Sequence, residues 1–312
     1  MKNYPRSAKI GNLEISPPWM NASGALGTPP ELQRCSGYMV GAVESKTLQT
    51  TEEKGNESPI YADDGRGNGW NSVGLSGQGV YKLCGEMRGY PLRPGKKFVI
   101  SITSKRSLDD LKEAAAQVLT LADAFDMLIE LNGGCPNVKN GMVVGKDQKM
   151  SYEWVDTIKR MADCVPVMYK MTPNVDDATY VDVMAACADA GADALVMINT
   201  VAEAYVNPHT GQPHFKFGGG RSGHDVFGEN VRHVEMAQNM RSNRGYKFAI
   251  GSVGGIDTSE RAKICFDAGA DFLQFFTYAF QDRPMELKRR TQPELETVKE
   301  FLERMHREVY GD

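Results

Sequence analysis

Residues 126–140 place a thiol and two amide side chains directly after a short apolar run. The run 127–129 leads to Asn132, then to two glycines, Cys135 and Asn137. This pattern predicts a buried strand that ends in a loop whose polar groups leave the core together. The two amides can grip the edge of a planar amide or imide. The thiol can act as a nucleophile or a proton-transfer base; the alternative is a small buried residue in a tight turn.

Eight short apolar runs recur along the chain, and helical patterns lie between most of them. The runs are 19–21, 42–45, 98–101, 127–132, 167–170, 195–199, 248–251 and 272–276. The helical patterns are 108–125, 151–163, 178–191, 230–242, 259–269 and 293–309. Ser107, Ser151 and Thr258 are predicted N-caps, because their side-chain oxygens can accept from the first helical N–H groups.

Strands that alternate with helices predict a closed (β/α)8 TIM barrel of class α/β, formed by residues 1–312 as a single domain. An open doubly wound sheet is the alternative, but no G-x-G-x-x-G motif follows the first strand. The glycine-rich segment 47–96 is predicted to be an irregular insertion after the second strand. We expect it to fold over the C-terminal face of the barrel.

Polar residues gather where the predicted strands end, which is where barrels of this kind build their sites. Lys46 and Lys170 follow two of the strands, and Asn132 and Asn199 end two others. A lysine at such a position can also belong to a structural ion pair. The equivalent placement of two lysines favours a functional role for both.

Two glycine clusters indicate a phosphate site. The segment 217–223 and the pair Gly254 and Gly255 both precede helical patterns. Exposed backbone N–H groups at a helix N-terminus bind phosphate well, although a glycine pair can also mark only a turn. A phosphate-anchored cofactor beside two lysines and several amides fits a flavin, whose ring edge carries carbonyl and N–H groups.

Composition and charge exclude several function classes. The chain has 41% hydrophobic and 24% charged residues, as in an ordinary globular protein. Its net charge of −4 argues against a nucleic-acid partner. No apolar run approaches the roughly 20 residues that span a bilayer. The first residues lack the apolar centre of a signal peptide, so we expect a cytoplasmic protein with no membrane partner.

Spacing argues against a metal centre. The six cysteines form no C-x-x-C pair, and the five histidines show no ligand spacing. We predict that Cys164, Cys187 and Cys265 are small core residues and that His224 has a surface role. Cys135 differs from the other cysteines in lying at a strand end among polar groups.

The chain resembles the dihydroorotate dehydrogenase family, specifically its soluble class 1 branch, from about residue 8 to residue 285. The matching motifs include MNASG, ESK, NSVGL, ELNGGCPNV, KMTPN, INT, GGGRSG and GSVGG. The resemblance implies an FMN-dependent enzyme that oxidises (S)-dihydroorotate to orotate in de novo pyrimidine biosynthesis. It implies that Cys135 is the base that removes the C5 proton, while hydride from C6 passes to flavin N5.

The resemblance also implies the remaining site residues, position by position. Substrate contacts fall on Lys46, Asn71, Val73, Gly74, Leu75, Asn132, Asn137, Asn199 and Thr200. FMN contacts fall on Ala22, Gly24, Ser45, Lys46, Asn132, Lys170, Gly223, Gly254, Gly255 and Thr277.

The chain departs from the family pattern at four places. Gly133-Gly134 replaces a larger residue followed by a serine, and Val73 replaces a methionine or isoleucine. Ser76-Gly77 stands where the family often has an asparagine beside the substrate, and Phe276 replaces the glycine before Thr277. We expect the loop around Cys135 to be less constrained and the phosphate contact to be altered.

Three alternatives stay open. The first is an FMN barrel that acts on another dihydropyrimidine such as dihydrouracil, and the second is a non-redox phosphate-binding barrel. The third is a binding protein that has lost activity. The oxidant is also open, because the family contains two relevant branches. One passes electrons to NAD through a separate iron–sulfur flavoprotein subunit, and the other works as a homodimer with fumarate. We expect the chain to form a homodimer in either case, with the iron–sulfur subunit as a further partner in the first.

Overall fold

The computed structural model describes residues 2–134, 144–277 and 297–311. A short hairpin, β1 (Ala8–Ile10) and β2 (Leu13–Ile15), precedes a closed barrel of eight parallel strands. The barrel strands are β3 (Trp19–Asn21), β4 (Ala42–Glu44), β7 (Lys97–Ile102), β8 (Met127–Asn132), β9 (Val167–Lys170), β10 (Ala194–Met197), β13 (Ala249–Val253) and β14 (Phe272–Phe275). Each lies on one of the eight predicted runs, so the predicted TIM barrel is confirmed.

Helices surround the barrel and shield its apolar outer face. They are α1 (Pro29–Ser36), α2 (Val80–Met87), α3 (Leu108–Leu119), α4 (Gln148–Ala162), α5 (Asp177–Asp189), α6 (Phe227–Arg244), α7 (Ser259–Asp267) and α8 (Val298–Tyr310). Short 3-10 turns lie at Val144–Lys146 and His224–Val226.

The predicted caps are correct at two of three positions. Ser107 and Thr258 accept hydrogen bonds from the first turns of α3 and α7. The prediction for Ser151 is wrong, because α4 begins earlier and is capped by Asp147. The Ser151 hydroxyl is instead buried, where it donates to the Val144 carbonyl and pairs with the Tyr169 hydroxyl at 2.9 Å.

The apolar core has two parts, one between the barrel and its helices and one inside the barrel. Ile10 and Ile15 of the hairpin pack in the inner part with Leu128 and Met168, which lie near the starts of their strands. The hairpin therefore closes the N-terminal end of the barrel. Cys187 and Cys265 are buried as predicted, whereas Cys164 is exposed in the turn after α4, so its prediction as a core residue is wrong.

The segment 47–96 is more ordered than predicted. It contains β5 (Tyr61–Asp63), β6 (Asn68–Asn71) and helix α2. Strands β5 and β6 join β11 (Val201–Ala202) and β12 (Gly220–Gly223) in an antiparallel sheet of order β11-β12-β6-β5. Residues from this sheet line a cavity together with the C-terminal ends of the barrel strands.

Among the described residues, no helix is long and apolar enough to cross a membrane.

Candidate active site

One cavity at the C-terminal ends of the barrel strands brings together most of the predicted site residues. Its volume is about 1160 Å³, including the space open to solvent at its mouth. The predicted residues that line it are Ala22, Gly24, Lys46, Asn71, Val73, Gly74, Leu75, Asn132, Lys170, Asn199, Thr200, Gly223, Gly254, Gly255 and Thr277.

Three predicted residues are not among the described residues that line the cavity. Cys135 and Asn137 lie outside the described residues. Ser45 is buried beside the cavity, where its carbonyl accepts from the Ser23 hydroxyl at 3.2 Å and its own hydroxyl accepts from the Ser101 N–H. Since Ser23 does line the cavity, Ser45 supports its wall from behind.

Asn132 is the centre of a hydrogen-bond network on the cavity wall. The parallel register of β8 and β9 places Asn132 beside Lys170. Its Nδ2 donates to the Thr47 hydroxyl at 2.9 Å. Its Oδ1 accepts from Asn199 Nδ2 at 3.0 Å and from the Gly134 N–H at 3.1 Å. This network fixes the Asn132 amide and the start of the loop that leads to Cys135.

Three glycines form a narrow cradle where the two predicted glycine clusters meet. Gly223, Gly254 and Gly255 have φ values of +101°, +127° and +69°, which side chains disfavour. A Cβ on Gly223 would collide with the Gly67 carbonyl oxygen, and one on Gly255 would lie 2.8 Å from the Gly223 carbonyl oxygen. Only glycine lets these backbones approach, which supports the prediction of a phosphate seat at this position.

Phe276, which stands where the family usually has a glycine before Thr277, lies close to Gly24. The cavity wall includes Phe276, and a Cβ on Gly24 would lie 3.3 Å from its Cε2 atom. The neighbouring Thr277 hydroxyl bonds to the Ser222 hydroxyl at 2.9 Å. The larger side chain therefore fills space against Gly24 and leaves Thr277 on the cavity wall.

The paired glycines before Cys135 are explained by their neighbours. A Cβ on Gly133 would collide with the Tyr169 hydroxyl, and one on Gly134 would collide with Thr172. The Gly133 N–H donates to the Lys170 carbonyl at 3.2 Å, and its carbonyl accepts from the Gly145 N–H at 2.7 Å. The described start of this loop is thus closely packed, so it is not loosened by the absence of side chains.

We expect Gly133→Ala to destabilise the protein by about 1–3 kcal/mol, because the added methyl group overpacks a filled site. Replacing Tyr169 with leucine removes the hydroxyl and the ring carbons that the methyl would meet. In urea unfolding, the double variant Gly133→Ala/Tyr169→Leu should therefore lose less stability than the sum of the two single variants. Additive losses would show that the Tyr169 side chain is not the obstacle.

The loop 73–75 has an unusual backbone conformation. Leu75 has φ +59°, which is rare for a bulky residue and is often found at functional sites. Asn56 packs against Gly74, where a Cβ would lie 2.6 Å from its side chain, and Asn56 Nδ2 donates to the Ser72 carbonyl at 2.9 Å. Asn56 therefore supports this loop from below.

At the departure Ser76-Gly77, the chain makes a contact of its own. Lys46 Nζ donates to the Ser76 hydroxyl at 2.8 Å. The serine therefore orients the lysine, which is on the cavity wall. This departure places a hydroxyl group beside Lys46.

A buried carboxyl pair lies behind the cavity wall. Gln274 Nε2 donates to Glu44 Oε2 at 2.8 Å and to Glu130 Oε2 at 3.1 Å. Its Oε1 accepts from Lys170 Nζ at 3.0 Å. Burial raises the pKa of Glu44 well above its usual value, and the nearby charge of Glu130 raises it further, while Lys170 acts in the opposite direction.

This raised pKa predicts a pH-dependent stability difference. A carboxyl group with a raised native pKa stabilises the fold at low pH, and this contribution is lost as pH rises through that pKa. Glu44→Gln removes the titration, so the variant should gain stability relative to the wild type between pH 5 and pH 8, by up to about 1.4 kcal/mol per pH unit. Denaturant midpoints measured across this range test it; a constant difference would contradict it.

Glu44, Glu130 and Gln274 were not predicted to be site residues. Gln274 lines the cavity within the run 272–276, which is otherwise apolar. A polar residue inside an apolar strand was the signal that could have identified it. The two glutamates carried the same signal within β4 and β8.

His224 was predicted to have a surface role, but its half-exposed side chain also lines the cavity. Arg261 Nη2 donates to its Nε2 at 2.8 Å, and because arginine only donates, the ring proton is on Nδ1. Nδ1 then donates to Asp257 at 2.9 Å. Its position directly after the glycine cluster was the available signal.

Metal ligands are not clustered in the described ranges: no group of three His, Cys, Asp or Glu side chains there could hold an ion.

The chain matches one family model and is similar to known proteins that carry that family's name. The family model described as dihydroorotate dehydrogenase matches residues 7–297. The chain is 33% identical over 274 residues to the dihydroorotate dehydrogenase B (NAD(+)) catalytic subunit of Caldicellulosiruptor bescii. The aligned region covers 87% of each of the two chains. Proteins of the same name from Alkaliphilus metalliredigens and Geobacter sp. strain M21 are 32% and 30% identical, over 86% and 90% of each chain.

Proposed function

The chain belongs to the dihydroorotate dehydrogenase family of oxidoreductases, and from that membership we propose that it oxidises (S)-dihydroorotate to orotate with bound FMN. The reaction would serve de novo pyrimidine biosynthesis. The observation that carries the proposal is the convergence of Lys46, Lys170 and the amides of Asn132 and Asn199 on one cavity that ends in a glycine cradle.

The cavity fits FMN in two respects. The cradle at Gly223, Gly254 and Gly255 is closed to side chains but suits a phosphate, which backbone N–H groups can bind. Lys170 would lie beside the ring and stabilise negative charge on it. Bound FMN would supply the acceptor for the two electrons that leave the substrate as hydride. We propose that the whole chain is one FMN-binding domain. Its cofactor contacts would include Ala22, Gly24, Ser45 and Thr277.

The amide-rich side of the cavity suits a flat heterocycle. Asn71, Asn132, Asn137 and Asn199 can pair with its carbonyl and N–H groups, and Thr200 adds a hydroxyl. The loop of Val73, Gly74 and Leu75, together with Lys46, would receive the substrate carboxylate. Cys135 would remove the C5 proton as general base, on the substrate face away from the flavin.

Colour and anaerobic reduction test the proposal directly. The purified protein should be yellow, and dihydroorotate should bleach it without oxygen. A colourless protein that FMN cannot reconstitute would favour a non-redox phosphate-binding barrel. FMN that is bound but not bleached would favour a binding protein without activity.

A second candidate is oxidation or reduction of another dihydropyrimidine. It is favoured by Ser76, which bonds to Lys46 where the family often has an asparagine beside the substrate. The two candidates differ in the carboxylate, which dihydroorotate carries and dihydrouracil lacks. Bleaching by dihydrouracil alone would overturn the choice of dihydroorotate.

For the oxidant, we propose NAD+ reached through a separate iron–sulfur flavoprotein subunit. The support is that the relatives are named as catalytic subunits of an NAD(+) enzyme. We expect NAD+ to restore the colour of the bleached chain only after that subunit is added. Rapid recolouring by fumarate alone would instead place the chain in the fumarate-linked homodimer branch. A homodimeric catalytic subunit and a cytoplasmic location remain predictions.

A further inference from the structure

Glu44 and Glu130 form a buried acidic pair that the proposed reaction does not use. Both side chains are fully buried in the barrel interior, and both accept from the same Gln274 amide group. Two carboxylates this close do not both ionise readily in a dry interior. One proton held by the pair removes the repulsion and leaves a single negative charge.

The hydrogen bonds indicate which carboxyl group carries the charge. Glu130 Oε1 accepts from the Ser101 hydroxyl at 3.2 Å and lies 4.0 Å from Lys170 Nζ. Glu44 Oε1 is buried without a hydrogen bond in the described part of the chain. The charged groups that act on Glu44 are Glu130 on β8 and Lys170 on β9. Glu130 is therefore the better-stabilised anion, and Glu44 is the group that keeps the proton.

Lys170 connects this pair to the cavity. Its side chain is buried and lines the cavity wall, and it donates to Gln274, whose amide group is held by both carboxyl groups. A single negative charge on Glu130 thus sits directly behind the cation that faces the ligand. Because the site is buried, the two charges are weakly screened.

We propose that Glu130 and Glu44 are positioning residues that hold Lys170 through Gln274 and offset its charge, and so limit how strongly the site stabilises the anionic reduced flavin. This inference rests on the proposed binding of FMN. The pair then lowers the reduction potential of the flavin, which favours passing its electrons on to the next acceptor.

The test compares two isosteric variants in the FMN-loaded protein. Glu130→Gln removes the negative charge, so the flavin midpoint potential should rise by about 30 mV, equivalent to about tenfold in a two-electron equilibrium. Glu44→Gln is the matched control, because glutamine mimics the protonated carboxyl group. Its potential at pH 7 should stay within about 10 mV of the wild type, equivalent to about twofold.

Two outcomes of this comparison overturn the inference. An unchanged potential in Glu130→Gln shows that the pair does not act on the flavin. An equal rise in both variants places the charge on Glu44 and contradicts the assignment of the proton. If Glu130→Gln fails to fold, infrared spectroscopy of the wild type and Glu44→Gln still decides whether the pair holds one proton.

Infrared spectroscopy of the full chain before flavin is added separates this inference from the proposed function. At pH 7 the wild type should show the carbonyl stretch of a buried protonated carboxyl group, and Glu44→Gln should lose it. Absence of that band from the wild type overturns the inference. If the protein shows the band but never binds FMN, the proposed function is refuted. The effect of the pair on the flavin is then refuted as well, but the assignment of the proton to Glu44 stands.

Discussion

Cys135→Ala should retain FMN but reduce it with dihydroorotate about 10²–10⁴-fold more slowly, the usual cost of losing a general base. In the proposed reaction the substrate loses the C5 proton as well as the C6 hydride, and alanine cannot accept that proton. The described start of the loop, held by Asn132 through the Gly134 N–H, does not depend on the thiol. Anaerobic stopped-flow bleaching of the flavin measures the rate.

Cys164→Ala is the matched control for that prediction. Cys164 is an exposed thiol after α4, so its loss should leave both the colour and the bleaching rate unchanged. Near-normal bleaching in Cys135→Ala would refute its assignment as the base.

Gly223→Ala should weaken FMN binding strongly. The new methyl group would collide with the Gly67 carbonyl oxygen, and φ of +101° is itself unfavourable for alanine. Because a backbone oxygen cannot move aside as a side chain can, the cradle must open. We expect FMN affinity to fall about 100-fold, equivalent to about 2.7 kcal/mol, measured by fluorescence titration of the apoprotein.

Gly218→Ala controls for substitution in the same glycine-rich segment. Gly218 is exposed, and a Cβ there would meet no atom within 4 Å. Its FMN affinity should match that of the wild type. Equal affinity in both variants would mean that the cradle is not the phosphate seat.

The barrel was predictable from sequence because each strand is a local pattern. The apolar runs and the helical repeats between them are visible within ten to twenty residues. The predicted start of α4 was wrong because serine is a common N-cap residue. Only the tertiary structure shows that the Ser151 hydroxyl forms a hydrogen bond with the Tyr169 hydroxyl instead. Local patterns cannot distinguish these two uses of a serine.

Much of the candidate site was predictable because its residues follow strand ends, where barrels place their chemistry. Fifteen residues on the cavity wall, including Lys46, were predicted from their positions after strands or from the family resemblance. The buried carboxyl pair was not found. Glu44, Glu130 and Gln274 lie on three different strands, and only the closed barrel brings their side chains together. No spacing along the chain encodes that meeting.

The sheet over the barrel mouth has a consequence for how the protein is made. Its pairing of β6 with β12 joins Asn68 to Gly223, segments far apart along the chain. Contacts of such long sequence separation form late in folding, since the intervening loop must first be closed. During synthesis, the ribosome must therefore translate the later part of the mRNA before the phosphate seat can form. Cofactor loading would therefore follow synthesis of β13 and of Gly254 and Gly255, which complete the seat, and could not guide folding of the earlier strands.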